Sequence, residues 1–516
     1  MFIRKKLNSS GSYSIVVIDK INGINKEIHR VGTAKTDEEL NNLQQEAKAW
    51  IHDYKYRNCD LFSESKESIH QREKAETEMF LGNIESVLLN GVGLIFDKVY
   101  KRIGFDLIND DVLRQLVISR ICQPSSKSGT VDYLLHYFDE DINLSKIYRY
   151  LDKLSDTQKD IVQQISISHT KRILGGRIGV VFYDVTTLYF ESDKGDDLRK
   201  TGFSKDGKHS NPQVILGLLV SKGGYPLAYS IHEGNKYEGH TMLPVIEDFV
   251  KKFDLEDFVV VADSGLMNAA NLNELEQKGY KYIIGARIKT ESKDVKNWIL
   301  SLEKRDGCFY EMKKSDQNRL IIGYSENRAK KDRYNREKGV RRLEKSYQNG
   351  KLSKDSINKK GYNKFLEIGK DIEVKINAEK IAEDALWDGF KGYISNTKMS
   401  AKTIYEQYRD LWQIERAFRV TKGKMEMRPM FHFTKKRIEA HVCICFVTYK
   451  CYKELERLLR LNKMEISIDK ALFIAGSVTT IRVKMPKSNE ILEKIMLFKK
   501  HQVIENLFSE KFWVPQ

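Results

Sequence analysis

Three acidic residues, far apart in the chain, occupy settings that suit a metal-bound carboxylate. Asp184 follows the apolar run Ile178-Gly-Val-Val-Phe-Tyr183, which reads as a strand buried on both faces. Asp263 ends the run Phe258-Val-Val-Val-Ala262 and precedes Ser264-Gly265, while Glu415 lies within a helical stretch from Thr403 to Lys422. An ionised carboxylate at the end of a buried strand is costly to desolvate, and a cation is the strongest compensation. Two strand-end carboxylates and one helix carboxylate can converge on divalent cations at the edge of a mixed α/β sheet, the donor set of two-metal phosphoryl transfer. For each Asp taken alone, a capping or turn role is the alternative.

The neighbours of Glu415 extend that chemistry. At 100° per residue, Tyr408, Glu415, Arg419 and Lys422 fall within about 60° on one face of a continuous helix. Such a face offers a phenol, a carboxylate and two cations, so the cations could hold a scissile strand while the carboxylate positions a metal. The competing reading is a solvated face with i, i+4 pairing between Glu415 and Arg419.

The elements that must position these groups follow from hydrophobic periodicity. Strands are expected at 178–190, 212–221, 225–232, 258–262 and 281–286, with helices at 240–253 and 268–278. Gly223-Gly224-Tyr-Pro226 is a hairpin turn, so the first strands run antiparallel and the later strand-helix-strand part is a parallel crossover. Before this region, Asn22-Gly23 marks a hairpin, Thr36 with Glu39 caps a helix through about Tyr54, and Ser63 to Thr77 reads as a linker or exposed helix. Residues 79–172 are helical throughout, and the pair Thr130 to Phe138 and Ser145 to Leu154 has helix-turn-helix proportions, with Lys146, Tyr148, Arg149 and Lys153 on its second member.

Two β-like stretches, Cys308 to Met312 and Arg319 to Tyr324, interrupt the alternation, and a third follows at Phe365 to Ile376. Between them, residues 328–364 hold 14 Lys or Arg against 4 Asp or Glu, which reads as an arm contacting phosphates through residues such as Arg336, Arg341 and Arg342. Trp387 to Thr397 looks like a returning strand.

At 516 residues the chain is long enough for two to four domains. A net charge of +16 and a pI near 9.2 favour a polyanionic partner, nucleic acid before a membrane surface. No apolar run approaches the roughly 18–20 residues of a membrane span, and no signal peptide is evident, so a soluble intracellular protein is expected. The six cysteines form no Cys-x-x-Cys pair and no zinc-type spacing. His232, His240, His432 and His441 share no metal-ligand spacing either, and read as hydrogen-bonded or DNA-near histidines.

The segments Tyr183-Asp-Val-Thr-Thr187, Val260-Val-Ala-Asp-Ser-Gly265 and Tyr408-x-x-Leu411-x-x-x-Glu415-x-x-x-x-x-x-Lys422 resemble the three catalytic segments of the DDE transposases of bacterial insertion sequences. They are most similar to the group in which Tyr, Arg, Glu and Lys are spaced in this way. Ile231-His-Glu-Gly-Asn235 with Glu238, and the stretch from Glu415 to His441 with Arg428-Pro429, resemble that group as well, so the likeness covers about residues 110–455. One position departs from it. Leu411 stands where the signature has Arg, leaving Arg409 or Arg419 to supply the cation.

The resemblance implies a ribonuclease-H-like α/β core in which Asp184, Asp263 and Glu415 bind two Mg²⁺ ions, with Mn²⁺ as a substitute, and Tyr408 and Lys422 contact the backbone of the transposon end. The 152 residues from Asp263 to Glu415 imply an insertion in that core. The expected organisation is a hairpin and helix over 1–60, a helical DNA-binding region over 61–175, the core over 176–290 and 385–460, a basic insertion over 291–384 and a tail over 461–516. The implied function is cleavage at insertion-sequence ends and strand transfer into target DNA. Partners would be terminal inverted repeats, target duplex and a second copy of the chain, in a bacterial cytoplasm at the nucleoid. The alternatives are a metal nuclease that cuts without joining and a transposase-derived DNA-binding protein without catalysis.

Overall fold

The computed structural model describes the chain except residues 22, 58–65, 205–206, 254, 256, 267–268, 353–355, 359–360, 369–373 and 514–516. The chain divides into two compact units, Met1–Glu85 with Val483–Leu492, and Ser86–Arg482 with Glu493–Gln516. No described helix is long and apolar enough to cross a membrane.

In the first unit, β1 (Phe2–Leu7), β2 (Tyr13–Ile21) and β3 (Ile24–Ala34) form an antiparallel sheet in that order. Ile21 pairs with Ile24 across the expected hairpin, where Gly23 takes φ +83°; Asn22 lies outside the described residues. The capping box forms as read from Thr36 and Glu39. Thr36 Oγ1 accepts from the Glu39 amide at 3.3 Å, and Glu39 Oε2 accepts from the amides of Lys35 and Thr36. The helix Asp37–Arg57 then buries Leu40 and Ala47 against Ile15 and Val17. Of the polar stretch after it, the helix Lys66–Gly82 is described and residues 63–65 are not.

The second unit is built on one eight-stranded sheet. After β4 (Ile84–Leu88) come β5 (Val180–Tyr189), β6 (Gln213–Ser221), β7 (Pro226–Glu233), β8 (Val259–Ala262), β9 (Lys281–Ala286), β10 (Phe309–Lys313) and β11 (Arg319–Tyr324). The short pair β12 (Leu366–Ile368) and β13 (Val374–Ile376) stands apart from that sheet, and β14 (Phe390–Ser395) returns to it. The sheet order is β10-β11-β14-β9-β8-β5-β6-β7. Strands β5, β6 and β7 pair antiparallel, and β5, β8 and β9 pair parallel, as the hairpin turn and the crossover helices required. This is the ribonuclease-H-like arrangement, widened on one side. Because β14 pairs antiparallel with β9, it offers an edge to β11, whose Leu320, Ile321 and Ile322 are fully buried. Part of the insertion therefore continues the central sheet.

Strand alternation decides which side chains face which layer. On β5 and β8, Val181, Tyr183, Val185, Val260 and Ala262 pack into the layer that also buries Met242, Ile246 and Phe249 of the helix Met242–Phe253. Phe182, Val259 and Val261 pack into the opposite layer, with Ile414, Ala417 and Phe418 of the helix Trp412–Gly423. Beneath that layer runs the helix Lys435–Leu461, buried on nearly every face, including Cys443, Cys445 and Cys451. Its Glu454 is buried and held by Arg457 at 2.6 Å, with His169 Nε2 at 3.6 Å.

Candidate active site

The register that sets the sheet also sets the carboxylates. Tyr183 pairs in parallel with Ala262, so the next residues, Asp184 and Asp263, are side by side on neighbouring strands, with backbones about 5 Å apart. By alternation both face the layer occupied by the helix Trp412–Gly423, which carries Glu415. Asp184, Asp263 and Glu415 accordingly line one cavity of about 660 Å³.

The strand expected over 178–190 forms as Val180–Tyr189, and it carries Asp184 in its middle, so the strand-end reading of this carboxylate is corrected. Because β6 pairs with β5 from Val181 through Tyr189, the strand continues five residues past Asp184. Asp184 Oδ1 accepts a hydrogen bond from the Val185 amide at 2.8 Å. Asp263 does follow the last residue of β8 directly.

The single helix expected from Thr403 to Lys422 is two helices, Ala401–Arg409 and Trp412–Gly423, joined through Asp410 and Leu411 by short i to i+3 hydrogen bonds. Tyr408 and Glu415 therefore belong to different helices, and both line the cavity. Tyr408 is buried, and its hydroxyl donates to Asp263 Oδ1 at 2.8 Å, so the phenol is engaged by a carboxylate of this chain. Burial pushes the phenol's pKa above its ordinary value, and the adjacent Asp263 charge acts in the same direction, which keeps the hydroxyl a donor. Gly285 on β9 makes room for it. A Cβ there would lie 2.5 Å from Tyr408 Oη.

Among the cations expected near the site, Arg409 lines the cavity with the three carboxylates, whereas Arg419 and Lys422 are not part of its lining. Glu415 and Arg419 form no ion pair among the described residues, so the surface-pair reading of that helix is not realised. Leu411, at the signature Arg position, packs in the core and also borders the cavity. Arg336 is corrected outright. It is buried on the helix Glu326–Gln348 and makes a bidentate pair with Asp388 at 2.5 and 2.6 Å, which removes it from the surface. Arg341 and Arg342 remain exposed on the same helix, Arg341 beside Glu337 at 3.7 Å.

Two cations were not singled out from sequence. Lys391 on β14 and Arg328 at the start of the helix Glu326–Gln348 both line the cavity. The Lys391 ammonium lies 4.4 Å from the Tyr408 ring centroid. Burial and the Arg328 charge lower its pKa, against the opposing pull of Asp263 and Glu415. The available signal was a lone Lys inside the otherwise uncharged strand Phe390–Ser395. Of the histidines, His232 hydrogen-bonds Ser230 Oγ at 2.9 Å, and His432 and His441 lie beside one another with tilted rings, outside the cavity lining.

The donor set suits hard divalent cations. It consists of carboxylate oxygens on an open cavity, where one or two carboxylates per ion leave positions for water and substrate phosphate. Among the described residues, no three His, Cys, Asp or Glu side chains are gathered closely enough to hold an ion, although Asp184, Asp263 and Glu415 line the same cavity.

A family model described as the transposase DDE domain matches residues 175–451. No curated protein matches. Among solved structures, the chain is similar to a piggyBac transposase in a synaptic complex with hairpin DNA, at 8% identity over 81% of this chain and 76% of that one, with a TM-score of 0.37. It is also similar to the Mos1 transposase in a paired-end complex with the left transposon end, at 8% identity over 31% of this chain and 58% of that one, with a TM-score of 0.16.

Proposed function

Because the chain belongs to the transposase DDE domain family, we propose that it is the transposase of an insertion sequence, cutting DNA at the element's ends and joining the freed strands to target DNA. The observation that carries this reading is the meeting of Asp184, Asp263 and Glu415, from segments up to 231 residues apart in sequence, on one cavity that also holds Arg328, Lys391 and Arg409. Asp184, Asp263 and Glu415 would hold two Mg²⁺ ions, or Mn²⁺ in their place. Bound there, the cations supply an activated oxygen nucleophile and charge stabilisation at the leaving oxygen.

The chain's own residues do the remaining work. Lys391, Arg328 and Arg409 neutralise and orient the scissile phosphate on the cavity wall. Tyr408 fixes the rotamer of Asp263 through its hydroxyl. Lys422 stands two turns beyond Glu415 on the same helix, about 10 Å along its axis, where it can reach the next phosphates of the same strand. Arg341, Arg342 and the other exposed cations of the helix Glu326–Gln348 grip the backbone more generally, as does Arg419. Since two element ends must be joined together, a homodimer assembled on DNA completes the reading.

The test is a joining assay. A labelled duplex carrying the element's terminal inverted repeat is incubated with the protein, Mg²⁺ and a supercoiled target plasmid. Label transferred covalently to the plasmid supports the proposal. Cleavage without transfer identifies a nuclease, and binding without cleavage identifies a DNA-binding derivative.

A further inference from the structure

A second cluster of cations lies outside the carboxylate cavity. Arg120 ends the helix Asp111–Cys122, Lys127 opens the helix Lys127–Phe138, and His432 and His441 flank the start of the helix Lys435–Leu461. Arg120, Lys127 and His441 are only 5%, 4% and 5% exposed. The His432 and His441 ring centroids are 5.3 Å apart. Among the described residues, the side chains of Arg120 and Lys127 have neither a hydrogen bond nor an ion pair, and His441 Nδ1 is buried with no partner.

A buried charge is normally paired, and an unpaired one costs the fold several kcal/mol. Here the neighbours aggravate the cost. Lys127 is pushed down to about 7 by burial and then by Arg120, while the Cys445 thiol acts the other way. His432 is pushed down to about 3 by burial and by Lys127, Arg120 and Arg437, of which Arg437 is already engaged with Asp152 at 3.3 Å. Among the described residues, no carboxylate acts on Lys127 or His432. The first turn of the helix Lys127–Phe138 adds the positive end of its dipole.

We propose that Arg120, Lys127, His432 and His441 form a receptor for a phosphate oxyanion, supplied in the working protein by the DNA backbone. Guanidinium and ammonium supply the donors for the oxygens of one phosphate, and the imidazoles add N–H donors when the bound oxyanion's charge draws a proton onto them. Phe431 and Phe433, the chain neighbours of His432, are both well exposed and offer stacking faces to a base of the same strand. The receptor is tied to the active site. Met430 bridges Phe190, six residues beyond Asp184 on the same strand direction, which places the anchor roughly 20 Å from the carboxylates, on the order of six base-pair rises. That the phosphate belongs to DNA rests on the transposase reading, whereas the oxyanion receptor does not.

The experiment uses the full chain, Lys127→Met and Arg120→Met, with inorganic phosphate in chloride buffer as one probe and a fluorescein-labelled duplex as the other. Expected are three results. Each variant melts at or above the wild-type temperature without phosphate, because an unpaired buried charge has been removed. Phosphate raises the wild-type Tm and leaves the variants unmoved. Duplex affinity falls roughly tenfold in each variant, and the slope of log K against log salt loses about one unit. Equal phosphate stabilisation of wild type and variants, or no stabilisation of either, overturns the receptor, as does a lower Tm in both variants. Phosphate stabilisation lost in the variants with unchanged duplex binding overturns DNA as the source. If the wild type binds no duplex at all, the transposase reading fails while the phosphate titration still decides the receptor.

Discussion

Replacing Tyr408 with Phe removes one hydroxyl and leaves the ring packed against Tyr393, 4.9 Å away between centroids. The hydroxyl donates to Asp263 at 2.8 Å, and a hydrogen bond to a charged acceptor is worth about 1.5–3 kcal/mol. Asp263 is exposed, so water replaces part of that interaction and the lower end applies. About 1.4 kcal/mol corresponds to a tenfold loss of rate if the bond holds Asp263 in its working rotamer. Cleavage of a terminal-repeat duplex, followed across a Mg²⁺ titration, should therefore slow about tenfold in Tyr408→Phe, with duplex affinity unchanged. Gly285→Ala attacks the same hydroxyl from the other side, since its new carbon would lie 2.5 Å from Tyr408 Oη. The double variant should be no slower than the worse single, because the shared bond can be lost only once. Wild-type cleavage by Tyr408→Phe at every Mg²⁺ concentration would refute the positioning role, and so would losses that multiply.

Arg336→Met should lower the Tm sharply, since it strands the largely buried Asp388 at a cost of about 3–5 kcal/mol, whereas Arg341→Ala with Arg342→Ala should leave the Tm alone and reduce the salt slope of DNA binding by up to about two units. Lys391→Gln should slow cleavage without weakening duplex binding, measured by single-turnover cleavage beside fluorescence anisotropy. Acid should destabilise the fold. His169 is pushed down to about 4 by burial and His441 well below its ordinary value, so below pH 6.5 the unfolded chain takes up protons that the folded chain refuses. Each costs up to about 1.4 kcal/mol per pH unit until the folded value is reached, and a Tm that does not fall between pH 6.5 and 5 would be the contrary result.

Much of the sheet was legible because its strands are short apolar runs bounded by Gly, Pro and Asp, and because Gly223-Gly224 forces a hairpin. The same periodicity brought Asp184 and Asp263 to neighbouring strands. Less legible was anything that depends on tertiary partners. The strand over 178–190 was legible, but that Asp184 lies within the paired ladder and not at its end follows from β6, which pairs through Tyr189. The helix break at Asp410 and Leu411 contains neither Gly nor Pro, so an unbroken face was inferred and Tyr408 was placed on it. Arg336 looked like its exposed neighbours because its partner, Asp388, is 52 residues away. Lys391 was passed over for the same reason, since its relevance comes from the cavity that β14 borders.

Direct evidence on the carboxylates would come from Asp184→Cys, Asp263→Cys and Glu415→Cys, assayed for cleavage of a terminal-repeat duplex in Mg²⁺ and in Mn²⁺. A thiolate is a poor ligand for Mg²⁺ and a better one for the softer Mn²⁺. Expected is loss of Mg²⁺-supported cleavage by all three variants, partial recovery in Mn²⁺, and duplex binding like wild type throughout. Undiminished cleavage in Mg²⁺ by any one of them, or the same residual rate with either ion, would contradict a metal-binding role for that carboxylate.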